Sequence, residues 1–210
     1  VTDVLTEVRA RLHEHFAAAG IPAEPVSASV TFLGAESIDV LRYGPDGDGV
    51  YRYVSLGCSR HPMIDPTEMM ADPTTGPRAE VVVSLRGPTP NGLARSIAVL
   101  AASPAVEGLV LGPDALVDLE TPLWSLPDPP GRAAPAPRGA PFTAMLLGPS
   151  DIDDVDLSGP LEPVVVLSAT PITATEAAWV RLKGAEAMRE AWRTDGVDVL
   201  DPGRPAARPR

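Results

Sequence analysis

The chain has 210 residues, a formal net charge of −11 and one cysteine, with 44% apolar but only 4% aromatic residues. That acidity repels phosphate backbones and argues against a nucleic-acid ligand, which needs Lys and Arg to neutralise phosphates. No apolar run is long enough to span a bilayer, and the single thiol, Cys58, excludes an internal disulfide framework and fits a reducing, cytoplasmic compartment.

Thr2 is placed to cap a first helix carrying Leu5, Val8, Leu12, Phe16 and Ala19 on one face, ended by Gly20 and Pro22. His13 and His15 are two apart, point to different sides, and cannot share a metal as i, i+4 ligands do. Val26–Leu33 alternates as a half-buried strand, with Val26, Ala28, Val30 and Phe32 on one side. Ile38–Tyr43 is its expected neighbour. The tip 44–49 is turn chemistry; its two acids lack the further ligands and the closing Glu of a calcium loop. Val50–Leu56 is a strand with Tyr51, Tyr53 and Ser55 on one face. The Met63–Pro77 stretch, broken by three prolines, reads as a long loop. Arg78–Leu85 is the next strand, antiparallel to the one before it.

Asn91 is placed to cap a helix bearing Leu93, Ile97, Leu100 and Ala101 and ending at Pro104. Leu109–Leu111 and Ala115–Leu119 are short extended candidates. The Leu126–Pro141 stretch is a Pro-, Gly- and Ala-rich surface loop. Phe142–Leu147 is a strand. Ser150–Pro160 is an acidic loop, read as solvated because its acids bring no His or distal ligand. Val164–Leu167 is a buried strand that Pro171 ends. Thr173 and Glu176 match a capping box. One helix is expected to follow, placing Ala177, Val180, Ala187, Met188 and Trp192 on a stripe with Gly184 as its contact with the strand. Residues 201–210 read as an unfolded Pro/Arg-rich tail behind a single domain of residues 1–200. The order α-β-β-β-β-α-β-β-β-α indicates an α+β fold, a mixed and mostly antiparallel sheet with helices packed on it.

Chemistry has few footholds. Cys58 and His61, three apart in a loop, raise a hydrolase or transferase pocket as an alternative, but spacing alone supplies neither an orienting group nor oxyanion donors. One Cys and three scattered His fall short of a zinc site. No phosphate-binding, nucleophile-elbow or metalloprotease motif occurs. The reading is therefore no catalytic residue, no metal and no cofactor. Gly57 fits a turn or a close backbone approach. Tyr51 and Tyr53 are either an exposed platform or core.

Taken together, Tyr51–Ser59, Ala79–Leu85, the Leu93–Ala101 helix, Thr121-Pro122-Leu123-Trp124, Phe142–Leu147 and the Pro171–Gly184 unit resemble the Suppressor of fused domain family. Cys58 stands where the family has an apolar residue such as Met or Leu, which speaks against a catalytic thiol. The resemblance implies a mixed α/β domain that binds protein and has no known catalysis. The animal member is a cytoplasmic and nuclear negative regulator of Hedgehog signalling that clamps a Gli peptide between two lobes. This chain resembles the amino-terminal lobe alone, so Gli binding does not carry over. Its Ala-, Pro- and Arg-rich loops suggest a bacterial source. Bacterial members are proposed as immunity proteins that neutralise toxins, and an acidic chain suits a basic toxin. The expected partner is thus another protein or peptide, bound at a sheet edge or a groove bordered by Tyr51, Tyr53, Ser59, Arg60 and His61.

Overall fold

The structure, a computed structural model, describes residues 3–22, 24–32, 34–64, 67, 74–125 and 141–208. Seven strands form one sheet in the order β1-β2-β3-β4-β7-β6-β5. These are β1 (Val26–Val30), β2 (Ile38–Tyr43), β3 (Val50–Leu56), β4 (Arg78–Arg86), β5 (Leu116–Asp118), β6 (Phe142–Pro149) and β7 (Val164–Thr173). The helices are α1 (Val4–Ala18), α2 (Leu93–Glu107), α3 (Ala174–Lys183) and α4 (Ala185–Asp195). Every named neighbour pair is antiparallel except β4 and β7, which run parallel over Arg78–Val82 and Val164–Ser168. The mixed α+β class is the one read from the sequence, and so is the element order up to the closing helix.

The period of two along each strand sorts the core onto two faces. Val40, Tyr53, Val81, Val83, Met145, Leu147 and Leu167 face α2, whose Leu93, Ile97, Leu100 and Ala101 are buried against them. On the opposite face, α1 places Val8, Leu12 and Phe16 over Leu41, Tyr43, Val54 and Val82. Farther along that face, Ala177, Val180, Met188 and Trp192 of α3 and α4 cover Ala144, Leu146 and Ile172.

Several boundaries differ from the sequence reading, each for a physical reason. The N-cap of α1 is Asp3; Thr2 lies outside the described residues. The helix α2 starts after Gly92, not Asn91, and runs through Pro104 to Glu107, with Gly108 as its C-cap. Pro104 falls in the last turns, where one missing hydrogen bond leaves the buried stripe before it intact. Pro171 does not end its strand: β7 continues to Thr173 and pairs Pro171 with Met145. Its carbonyl points away from β6 and accepts from Arg204 at 3.1 Å. The missing N–H falls on that same side, where pairing with β4 has already stopped.

The closing helix is two helices. Gly184 has φ +90° and a Cβ there would meet nothing within 4 Å, so it is a break and not a contact point. The tail is also folded as far as it is described. Arg204 and Ala207 are buried, because a carboxylate inside the domain needs the tail's donors. All of the Leu126–Pro141 loop except Pro141, and most of the Met63–Pro77 loop, lie outside the described residues.

Candidate functional site

The edge strand β1 is the most exposed element of the sheet. The sequence reads it as half-buried, but Val26, Ser27, Ala28 and Ser29 are exposed and only Val30 is partly covered. It pairs one-for-one with β2, from Val26 opposite Arg42 to Val30 opposite Ile38, with no bulge. Among the described residues its outer edge pairs with nothing. The strand, Val-Ser-Ala-Ser-Val, carries no charge and no proline. Edge strands ordinarily carry such features to prevent strand addition.

Two polar corners lie one to two strands in from this edge, at either end of β2 and β3. At the Val26 end, the Arg42 guanidinium sits 5.3 Å from the Tyr51 ring centroid and donates to Thr89 Oγ1 at 2.7 Å. The Tyr53 hydroxyl donates to the same oxygen at 2.9 Å. At the Val30 end, the Glu36 carboxylate takes His61 Nε2 at 2.6 Å and Arg60 Nη1 at 3.1 Å. The His61 hydrogen bond, helped by Arg60, holds the Glu36 carboxyl below its usual value.

These corners correct the groove read from the sequence. Tyr51 and the 57–61 turn lie at opposite ends of β3, roughly 17 Å apart at about 3.4 Å per residue. Tyr53 is 2% exposed and belongs to the core. Ser59 is fully buried. Neither can touch a partner. Tyr51 and Arg60 are partly exposed and His61 is exposed, so three of the five predicted contact residues reach the surface, at two separate corners.

Ser59 is buried because it serves Glu80, a residue the sequence reading passed over. The Glu80 side chain lies wholly inside the domain. Its Oε1 accepts from the amides of Gly57 at 2.8 Å and Ser59 at 3.0 Å, and from the Ser59 hydroxyl at 2.6 Å. Its Oε2 accepts from the Ser55 hydroxyl. Arg78, also buried, donates to the carbonyls of Ser59 and Arg60 at 2.8 Å each. Together they fix the turn that presents Arg60 and His61. Gly57 is required at its start: with φ +144°, an added Cβ would fall 2.9 Å from Ile38 Cδ1. The available signal was a charged residue inside the apolar run of β4.

The same turn disposes of the Cys58–His61 pocket. Cys58 is buried, and desolvation together with the Glu80 charge pushes its thiol pKa well above the usual value. A thiol so protonated is a poor nucleophile. The His61 side chain is 70% exposed and bonded to Glu36. The structure does not assemble the pair as nucleophile and base. Among the described residues, no group of three or more His, Cys, Asp or Glu could hold a metal ion, and no helix is long and apolar enough to cross a membrane.

A second buried carboxylate, Glu176, anchors the tail. It completes the predicted capping box, accepting the Thr173 amide at 2.9 Å while Thr173 Oγ1 accepts the Glu176 amide at 3.3 Å. Arg204 donates to both of its oxygens, at 2.8 and 3.1 Å. The guanidinium lies 5.0 Å from the Phe142 ring centroid and 5.8 Å from that of Trp192. The Ala207 amide adds a bond at 3.1 Å. Burial alone would raise the Glu176 carboxyl, but these donors outweigh it and hold the pKa below its usual value.

Comparison with known proteins agrees with this architecture. The family model described as Suppressor of fused protein (SUFU) matches residues 34–205. No curated protein matches the chain. Among solved structures, a SUFU homolog from Neisseria gonorrhoeae FA 1090 is 15% identical, with a TM-score of 0.60 over 96% of this chain and 97% of that one. Drosophila Suppressor of Fused is 13% identical, with a TM-score of 0.67 over 98% of this chain. The present chain spans 51% of that protein. A chain from the Sufu-Fu complex is 13% identical, with a TM-score of 0.61 over 93% of this chain and 84% of that one.

Proposed function

The chain belongs to the Suppressor of fused family, and from that premise we propose that it is a non-enzymatic protein-binding module that accepts an extended partner segment along β1. The observation that carries this reading is the edge of β1, unpaired among the described residues, uncharged and straight in register, with the Arg42–Tyr51 and Glu36–Arg60–His61 corners on the strands next to it. Strand addition draws affinity from main-chain hydrogen bonds and selectivity from the side chains beside them. Tyr and Arg are the residue types that most often dominate such contacts. A relative solved as the Sufu-Fu complex is a protein bound to a protein, which supports the same class of role.

The finer version is a cytoplasmic immunity protein that neutralises a bacterial toxin. The net charge of −11 favours a basic partner by steering and by complementarity. The test is growth rescue against a toxin encoded beside this gene. Rescue is expected from the native chain and is lost in Tyr51→Ala combined with Ala28→Lys, with the fold retained by circular dichroism. Failure of the native chain to rescue removes the immunity version. Full rescue by the double variant removes the β1 edge as the docking site.

A further inference from the structure

We propose that β1 also pairs with β1 of a second copy, antiparallel, about a two-fold axis through Ala28. This goes beyond partner binding and can hold whether or not a foreign segment ever docks there. The strand Val26-Ser27-Ala28-Ser29-Val30 reads the same in both directions. Antiparallel pairing about Ala28 therefore sets Val26 against Val30, Ser27 against Ser29 and Ala28 against itself. Like meets like on both faces of the sheet. The two-fold is the symmetry that an isologous contact requires.

Three observations fit this occupant. Val26, 58% exposed, would be covered by the partly buried Val30 of the other copy, giving an apolar cross-strand pair on the α2 side. Ser27 and Ser29, exposed on the other face, would gain hydroxyl partners, a pairing that favours adjacent strands. Charge does not oppose the register: the strand has none, and Glu24, extended beyond Pro25, would lie opposite Phe32 and not opposite another acid. Shifting the register by two residues leaves only three paired positions and sets Val26 against Ala28.

The contact is small. Five paired residues a side fall short of the roughly 1,000 Å² of a standing interface, so the dimer is reversible. Two copies of charge −11 repel at a distance, and salt screens that repulsion. Self-association should therefore strengthen as salt rises, whereas docking of a basic partner should weaken. A dimer at β1 also covers the surface proposed for the partner, so the two states compete.

The experiment is sedimentation of the native chain from micromolar to about 1 mM, at low and high salt. Ala28→Lys places two ammonium groups against each other on the axis, at an exposed position where the monomer fold is undisturbed. The native chain is expected to dimerise, more tightly in high salt, and Ala28→Lys to raise the dissociation constant at least about tenfold. Ala28→Cys is expected to form a covalent dimer on mild oxidation, because paired antiparallel residues have Cα atoms about 4.5–5.5 Å apart, within disulfide reach. Ser27→Cys faces Ser29 and should cross-link far less. Cys58 is buried and does not compete. A native chain monomeric at about 1 mM, a dimer unmoved by Ala28→Lys, or equal cross-linking of both cysteine variants each overturns the proposal. A monomeric result leaves partner binding at β1 standing, since growth rescue reads that separately.

Discussion

Glu80 and Glu176 are both fully buried carboxylates, yet they are stabilised in opposite ways. Glu80 is satisfied by neutral donors from one turn of chain, two amides and two hydroxyls within 25 residues of it. Glu176 takes a bidentate arginine from the tail, an indole N–H and two amides. The first arrangement sits at the centre of the sheet and cannot open without disrupting β3 and β4. The second depends on a peripheral segment that can peel away and admit water. One carboxylate shapes the surface corner at Arg60 and His61; the other decides whether residues 201–208 are part of the domain.

The difference is broken most severely at Glu80. Glu80→Ala leaves four buried donors without an acceptor, and each such group costs about 1–3 kcal/mol. Even at the low end these four sum to about 4 kcal/mol, so a loss of roughly 4 kcal/mol or more is expected in denaturant unfolding, with a fall in Tm on the order of 10 °C or more for a chain of this size. Glu80→Gln keeps the shape but turns an NH2 toward some of those donors, so it should fall between alanine and native. A native-like Tm for Glu80→Ala would mean that the turn rearranges freely, and the comparison would lose its first half.

Arg204→Ala should cost less. Removing one member of a trapped ion pair costs about 3–5 kcal/mol, but here the tail can detach and let water reach Glu176. An effect of roughly 2–3 kcal/mol is expected, below the range for a pair that cannot relax. The accompanying signature is local: limited proteolysis should clip the segment after Asp195 faster in Arg204→Ala than in Glu80→Ala under native conditions. Equal protection in both variants would show that the tail is held by something other than this pair.

How far the sequence exposes these two sites follows from the same contrast. The capping box at Thr173 and Glu176 is legible because both members lie within one helical turn, and it forms as read. Its second partner, Arg204, is not legible, because a Pro- and Arg-rich segment without large apolar residues has the composition of an unfolded tail. Only the position of Glu176 inside the fold gives that arginine somewhere to go. The strands β2, β3, β4 and β7 were readable from runs rich in β-branched residues, β6 from a short apolar run, and the sheet's mixed class from their order. The exposure of β1 was not readable: Val, Ala and Val on one side look like a buried stripe until the sheet is found to end there. The corner residues suffered the same limit. Tyr51 and Tyr53 share a strand face, but Thr89 and α2 bury one of them and leave the other at the surface.

The smallest effect is a pH dependence, read at Glu176. Its folded pKa lies below the usual carboxylate value of 4.5, through Arg204 and the amides of Thr173 and Ala207, which outweigh burial. A depressed carboxyl contributes stability that is fully present above the unfolded pKa and is lost as pH falls through the folded one. Arg204→Ala removes the main cause of the depression, so the variant has less of this stability to lose in acid. The gap between native chain and variant should therefore be widest at neutral pH and should narrow steadily below about pH 4.5. Denaturant unfolding of both proteins at neutral pH and at about pH 3 measures it. A gap that stays constant would mean that Arg204 holds the tail through its stacking on Phe142 and Trp192 and its bond to the Pro171 carbonyl, with the Glu176 charge contributing nothing.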